Sequence, residues 1–204
     1  MTLGHPSNPG GDGSITVAPR ELHDSLYRAC RTSGAVHGEA IAISDAALFA
    51  VVHLDCTLNT QLDVLEGGRR PVFALPYVLR AISGERVETP ATCVAADVAV
   101  FAVEALRRGN EIALFHTDRS EPLSMMALLD WEPEQPITHV APTDGMSKAV
   151  VASAMSSIEA RDSEGRRTGI NLDLAIWHRL DGLAQRYLIS ESSIDDAIEK
   201  ARAL

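Results

Sequence analysis

Aromatic residues are scarce in this chain of 204 residues, at 4% of the total. The hydrophobic content of 46% is nevertheless that of a folded globular protein. Alanine, valine, leucine and isoleucine must therefore fill most of the core. Small aliphatic side chains favour close helix packing over a large cavity lined with aromatic rings.

Cysteine is also sparse, since the chain has three and none of them forms a Cys-x-x-Cys pair. This number and spacing exclude a disulfide framework and a zinc signature. Cys30, Cys56 and Cys93 lie in apolar stretches that are typical of buried free thiols. We therefore expect a reducing compartment and a cytoplasmic location. The first residues have neither an apolar run nor a basic cluster, so we expect no signal peptide.

Positive charge is in short supply, with 18 Lys and Arg against 28 Asp and Glu and a net charge of −10. Such a chain repels phosphate backbones, which argues against broad nucleic-acid binding. Its dense basic spots are the pairs Arg69-Arg70, Arg107-Arg108 and Arg166-Arg167. No apolar run reaches the length of a membrane span, so no membrane partner is predicted.

Strong catalytic and cofactor motifs are missing from the sequence. There is no Walker A loop, no Gly-x-Gly-x-x-Gly, no Gly-x-Ser-x-Gly, no His-Glu-x-x-His and no EF-hand loop. Nucleotide-dependent chemistry loses support accordingly. The sequence predicts no metal ligands and assigns no cofactor, and it leaves open whether the protein is an enzyme.

Glycine, proline and hydrophobic periodicity divide the chain. Residues 1–18 are rich in Gly, Pro and Ser and are predicted to form a disordered tail. Helical periodicity follows in "PRELHDSLYRACRTSG", in a long stretch ending at Gly67-Gly68, and in "ATCVAADVAVFAVEALRRG". The last is followed at once by the apolar strand pattern "EIALFHTD", and "ITHVAP" is a further strand candidate.

Apolar strands that alternate with helices across short turns are typical of βαβ units. The sequence therefore predicts a helix-rich single α/β domain over 19–160 with a small, partly parallel sheet. The polar residues 161–169 are predicted to be a linker, and 170–204 a C-terminal helical hairpin.

The first candidate site is the cluster of His116, Thr117 and Asp118 at the end of "EIALF". Open α/β sheets bind ligands outside the carboxyl ends of their strands. His116 is a candidate general base there, and Asp118 is the carboxylate that would orient it. The alternative is a polar strand end emerging into solvent.

The second candidate site is "VVHLDC", in which His53 and Cys56 would lie one turn apart if the segment is helical. That spacing allows a thiolate–imidazolium pair or two metal ligands. A structural histidine beside a buried thiol explains the same residues.

The C-terminal segment has a strand-like Ile170 and Leu172, a Leu-x-x-Leu-Ala pattern and a Ser-x-Ser turn at Ser190 and Ser192. This pattern resembles a ribbon-helix-helix DNA-binding module. The resemblance implies a dimer whose paired strands enter the major groove. The base-reading positions would then fall on Thr168, Gly169 and Asn171, beside Arg166 and Arg167. The alternative is a helical hairpin that packs on the main domain or forms a dimer contact.

The leading hypothesis is a cytoplasmic protein that binds or transforms a small metabolite, alone or as a subunit of a complex. Its competitors are a transcriptional regulator that uses the C-terminal segment on DNA, and a non-catalytic subunit. For such a subunit, and for a homo-oligomer, the Ala-rich helices would form the interface.

Overall fold

The computed structural model describes residues 13–116, 123, 131–143 and 148–187. The first elements of the described residues are strand β1 (Ser14–Val17) and helix α1 (Pro19–Thr32). Proline at the first helical position suits a helix start, because its missing N–H has no partner there in any case. Ile15 and Val17 point into the core while Thr16 is exposed. The predicted disordered tail is therefore wrong for Ser14–Val17, where a period-two pattern of four residues is too short to stand out from the surrounding Gly and Ser.

Helix α2 (His37–His53) lies at the centre of the fold and is buried around most of its circumference. The sequence predicts that it continues towards Gly67-Gly68, but the structure breaks it after His53. Asp55 and Leu58 both have a positive φ, at 51° and 64°, and a new helix α3 (Asn59–Glu66) begins there. Left-handed backbone cannot continue an α-helix, so the long predicted helix becomes two.

The middle of the chain comprises helix α4 (Leu75–Ile82), strand β2 (Val87–Glu88), helix α5 (Ala95–Arg107) and strands β3 (Ile112–His116) and β4 (Ile137–Pro142). The predicted helix that ends before Gly109 is confirmed as α5, and the two predicted strands are confirmed as β3 and β4. The Val94 N–H donates to Asp97 Oδ2 at 3.0 Å, which satisfies one backbone donor at the start of α5.

The three-stranded sheet has the order β2-β4-β3, and β4 runs antiparallel to both neighbours. The predicted partly parallel sheet is therefore wrong. β2 and β3 do point the same way, as the βαβ pattern around α5 requires, but β4 lies between them. The sequence pattern predicted β4 as a strand but did not predict that it lies between β2 and β3.

The last part of the described chain comprises helix α6 (Lys148–Thr168), strand β5 (Ile170–Asp173) and a helix α7 over 174–187. The predicted linker at 161–169 is wrong, because α6 continues to Thr168. Its polar composition belongs to the exposed side of a helix whose buried side includes Ile158. β5 pairs antiparallel with β1 of the same chain, with Val17 opposite Ile170. The second helix of the predicted hairpin lies outside the described residues.

Two hydrophobic clusters form the core of this helix-rich α/β domain, and α2 contributes to both. The first cluster joins α5, the sheet and Trp131 with Phe49 and Ala50 of α2. The second joins α1, α3, the β1–β5 ribbon and Trp177 with Ala47 and neighbouring residues of α2. Val51 of α2 packs against both clusters, so α2 links them.

Within the described residues, no helix combines the length and the apolar character that crossing a membrane would require.

Candidate functional site: a cleft between four helices

A cleft of about 770 Å³ opens between α2, α4, α5 and α6. Helix α2 forms one wall with side chains spaced three or four residues apart, from Ile41 through Asp45 and Phe49 to His53. Helices α4 and α5 form the facing wall, with Leu75, Val78, Leu79, Ile82, Val100 and Phe101. The volume is in the range of pockets that bind small molecules.

The rim of the cleft leaves large apolar side chains in contact with solvent. Ile41 on α2 is 37% exposed and Leu79 on α4 is 52% exposed. Exposed aliphatic side chains beside a concave apolar surface are typical of a binding groove.

A buried imidazole that is hydrogen-bonded to a carboxylate lies at the opposite end of the cleft, where α2 ends. The His53 side chain is 1% exposed, and its Nε2 donates to Asp162 Oδ1 of α6 at 3.0 Å. The Phe49 ring packs against the imidazole with a centroid distance of 4.3 Å. His53 Nδ1 is buried and has no hydrogen-bond partner among the described residues. Buried polar atoms without a hydrogen-bond partner are rare in folded proteins, and this one distinguishes the His53 end of the cleft.

Burial lowers the pKa of His53 below its usual 6.5, and this outweighs the opposite effect of Asp162. The nearby Arg161 and Arg107 guanidinium groups lower the pKa further. The ring is therefore neutral at pH 7. Because the Asp162 carboxylate can only accept, the proton is on Nε2 and Nδ1 has the free lone pair. A neutral imidazole oriented by a carboxylate is equipped to accept a proton from a bound molecule.

Three arginines line the cleft, and Arg107 is the one of these that lowers the pKa of His53. Arg107 and Arg108 at the end of α5 flank Glu104, with nitrogen–oxygen distances of 3.7 and 2.8 Å. Arg166 lies one helical turn after Asp162 on α6 and has no ion-pair or hydrogen-bond partner among the described residues. Arg161 lies outside the lining and donates to the His53 carbonyl oxygen at 3.1 Å. The lining of this end thus holds three arginines and two carboxylates.

In the candidate site at His53 and Cys56, the two residues line different cavities. The one-turn spacing assumed a helix through both residues, but α2 ends at His53 and Asp55 reverses the backbone. Cys56 Sγ instead donates to Gln61 Oε1 at 3.6 Å and faces a smaller cavity of about 320 Å³. Burial raises the pKa of the Cys56 thiol, which keeps it protonated.

The other candidate site is only partly described. His116 is the last residue of β3 and pairs with Ile137 across the sheet, while its side chain, Thr117 and Asp118 lie outside the described residues. A ligand site at the end of β3 is expected where that end lies on the carboxyl edge of a parallel sheet. Since β3 and β4 are antiparallel, His116 and Asp118 are not distinguished from the residues at other strand ends. They stay a prediction.

Asp162 is the site residue that sequence reasoning missed. It lies in "RDSEGRRTG", whose composition indicates a linker, so its place on a helix facing α2 was not expected. Ile158, Asp162 and Gly165 follow the spacing of one helical face, and that signal extends the helix through the polar stretch.

A second cavity of about 500 Å³ lies beside β5, between the end of α2 and the last turns of α6. Its lining includes the carboxylates Asp55, Glu164 and Asp173, against Arg161 as a cation. Among the described residues, no group of three or more His, Cys, Asp or Glu side chains is placed to hold a metal ion. Neither cavity therefore has a described metal centre.

Comparison of the chain with protein-family models, with curated proteins and with solved structures finds no match.

Proposed function

We propose that this protein binds a small, largely apolar molecule with one polar end in the cleft between α2, α4, α5 and α6. The observation that carries the proposal is the combination in one cleft of aliphatic walls and a fully buried, carboxylate-bound His53. Binding sites for metabolites are mostly apolar, with a few placed polar groups that fix orientation. A cytoplasmic location and an acid–base transformation by His53 are extensions of this proposal.

The binding test uses the neutral fluorescent probe N-phenyl-1-naphthylamine, which brightens in apolar surroundings. The double variant Ile41→Arg/Leu79→Arg places charge on both sides of the cleft. The control is Val36→Arg, because Val36 is 58% exposed but does not line the cleft. We expect saturable binding by the wild type, about tenfold weaker binding by the double variant, and no change in the control.

The substitutions are at exposed positions, so stability should change by less than about 0.5 kcal/mol each. A probe signal that does not saturate, or one that is equally strong in the double variant, would contradict the proposal.

A second candidate function is DNA recognition by the β1–β5 ribbon. The observation in its favour is that each strand of this antiparallel pair leads directly into a helix, β1 into α1 and β5 into α7. The ribbon is completed inside one chain, so a second copy is not required to form it. The outward-facing strand residues are Thr16, Asn171 and Asp173, with no Lys or Arg among them. Phosphate contacts need cations, so this charge pattern favours the ligand-binding proposal.

The test for DNA recognition is fluorescence anisotropy with a labelled duplex over a range of salt concentrations. DNA recognition requires salt-dependent binding that is lost in Arg166→Gln/Arg167→Gln. Arg167 is held by Glu164 at 2.8 Å, which leaves Arg166 as the freer of the two. Anisotropy that does not change with added protein would exclude this candidate.

An interface with a partner formed by the Ala-rich helices has less structural support than ligand binding in the cleft. The alanines of α2 and α5 are largely buried in the core of the same chain, among them Ala50, Ala99 and Ala102. Their small size allows the two helices to approach closely. The alanine content of α2 and α5 is thus accounted for without a partner.

A further inference from the structure

Resting on the proposed function, we propose that the molecule bound in this cleft is an amphiphilic monocarboxylate. Its apolar chain would lie along α2, and its carboxylate would lie among Arg166, Arg107 and His53. A medium-chain alkanoate is the simplest member of this class.

The polarity of the cleft changes along the axis of α2. Ile41, Leu48 and Phe49 line the apolar length, and His53 lies at the end. At 1.5 Å per helical residue, Ile41 and His53 are about 18 Å apart. Asp45 lies between them, but its Oδ1 accepts from His23 Nε2 at 3.1 Å. An extended chain of about ten carbons is shorter than this distance and is accommodated within it, with its polar group at the His53 end.

The charge at that end favours an anion. Arg107 and Arg108 share the single carboxylate of Glu104, which leaves one positive charge in excess. Asp162 is bound by the neutral His53 and contributes one negative charge. Arg166 adds a positive charge with no described partner, so the sum at this end is positive in a chain with a net charge of −10. A local excess of arginine on an acidic protein is complementary to a carboxylate, and a guanidinium binds that group in a bidentate manner.

His53 cannot supply this charge in the free protein, because burial and the nearby arginines keep its pKa below 6.5. The arginines must attract the anion. A carboxylate bound beside the ring would in turn favour its protonated form and raise the pKa of His53. Ligand binding therefore has a spectroscopic signature that is separate from affinity.

The experiment is calorimetric titration of the full chain with decanoate and with decanol, below the concentration at which decanoate forms micelles. We expect decanoate to bind at least about tenfold more tightly than decanol, as charged hydrogen bonds typically provide. Arg166→Gln and Arg107→Gln should each weaken decanoate binding by about tenfold and leave decanol binding unchanged. Arg80→Gln is the matched control, because Arg80 pairs with Glu85 and does not line the cleft.

The outcomes separate the two proposals. Equal affinities for decanoate and decanol, or arginine variants that weaken both ligands alike, overturn the carboxylate assignment while binding in the cleft stands. Binding of N-phenyl-1-naphthylamine without binding of decanoate also overturns the carboxylate assignment and leaves binding in the cleft intact. Failure of all three molecules to bind overturns the proposed function itself. NMR titration of His53 with and without decanoate tests the placement of the carboxylate beside the ring. A pKa of His53 that is raised by decanoate supports this placement, and an unchanged pKa contradicts it.

Discussion

Gly169 lies between α6 and β5 with a φ of +79°, and its backbone approaches Thr16 and Val17 of β1. A Cβ atom at this position would be 2.6 Å from Thr16 Cγ2 and 3.2 Å from the Val17 carbonyl oxygen. Gly109 has nearly the same backbone, with a φ of +78°, but a Cβ there would meet nothing within 4 Å. Substitutions at the two glycines can therefore be compared to separate the free-energy cost of a left-handed backbone from that of a steric clash.

We predict that Gly169→Ala destabilises the protein more than Gly109→Ala. Both variants force a non-glycine residue to adopt a positive φ, at a cost of about 1–2 kcal/mol. Gly169→Ala must also move the Thr16 side chain and shift the Val17 carbonyl oxygen slightly, which adds about 1–3 kcal/mol. Urea unfolding of the two variants measures the difference. Equal losses of stability would mean that β1 is not packed against Gly169.

His53 and His23 provide the second prediction at this scale, because their pKa values move in opposite directions. Burial lowers the pKa of His53, whereas the hydrogen bond to Asp45 raises the pKa of His23 above 6.5. The His53 contribution to stability is therefore present above pH 6.5 and declines as the pH falls towards its folded pKa. The His23 contribution is present below 6.5 and is lost as the pH rises through its folded pKa.

NMR titration of the imidazole protons checks these directions. We expect His53 to titrate below 6.5 and His23 above it. Asp162→Asn should lower the pKa of His53 further without affecting His23, and Asp45→Asn should lower the pKa of His23 alone. A pKa of His53 above 6.5 would contradict its burial at the end of the cleft.

At the scale of elements, α7 is held to α3 by one arginine. Arg179 Nε donates to Glu66 Oε1 at 2.9 Å, and its Nη2 donates to Asp63 Oδ1 at 2.6 Å. Nη1 also donates to Asn59 Oδ1 at 3.1 Å. The guanidinium fork matches this set of acceptors, and it lowers the pKa of Glu66.

We predict that Arg179→Lys lowers the free energy of unfolding, because an ammonium group cannot donate in three directions from one plane. The loss should be smaller at about 1 M NaCl, where the Debye length falls to about 3 Å. It should also be smaller at a pH below the folded pKa of Glu66, where that carboxylate is protonated. Denaturant unfolding at two salt concentrations measures the loss of unfolding free energy. Arg80→Lys is the control, because Arg80 pairs with Glu85 and does not connect two helices. A loss that is independent of salt would exclude an electrostatic origin.

The elements also show what the sequence could predict. α1 and α5 follow from helical periodicity that ends at Gly34 and Gly109, and β3 and β4 follow from short apolar runs. β1 and the end of α6 could not be predicted from composition, since Gly, Ser and Arg dominate their surroundings. Their structure depends on partners far along the chain, as β1 pairs with β5 and Asp162 of α6 binds His53. The sequence predicted one member of the His53–Asp162 pair. His53 was a candidate site residue, whereas Asp162 lay in the predicted linker.

On the scale of the whole molecule, the two hydrophobic clusters share α2, so neither can lose its packing without exposing part of this helix. Each cluster contains one of the two tryptophans of the chain, Trp131 in the first and Trp177 in the second. The fluorescence of each residue therefore reports on one cluster.

We predict that both clusters unfold in a single transition. In Trp131→Phe the remaining fluorescence follows the second cluster, and in Trp177→Phe it follows the first. Within each variant, the fluorescence midpoint should coincide with the midpoint measured by far-ultraviolet circular dichroism, as a two-state transition requires. Two separated midpoints would show that α2 does not couple the clusters.

The pairing of β1 with β5 also determines the order of events during synthesis. A ribosome makes β1 before helices α1 to α6 and makes β5 only after α6, so β1 lacks this partner strand while all of those helices are being made. The parts of β1 and α1 that pack on β5 and α7, Ile15 and Val17 among them, therefore stay uncovered until β5 and α7 leave the exit tunnel. Sequence-distant pairings of this kind slow folding, because the loop entropy is lost before the contacts form. The second cluster is therefore the last part of the core to close, and the stretch of translation before it closes is when a nascent chain of this protein is most exposed to aggregation and to chaperones.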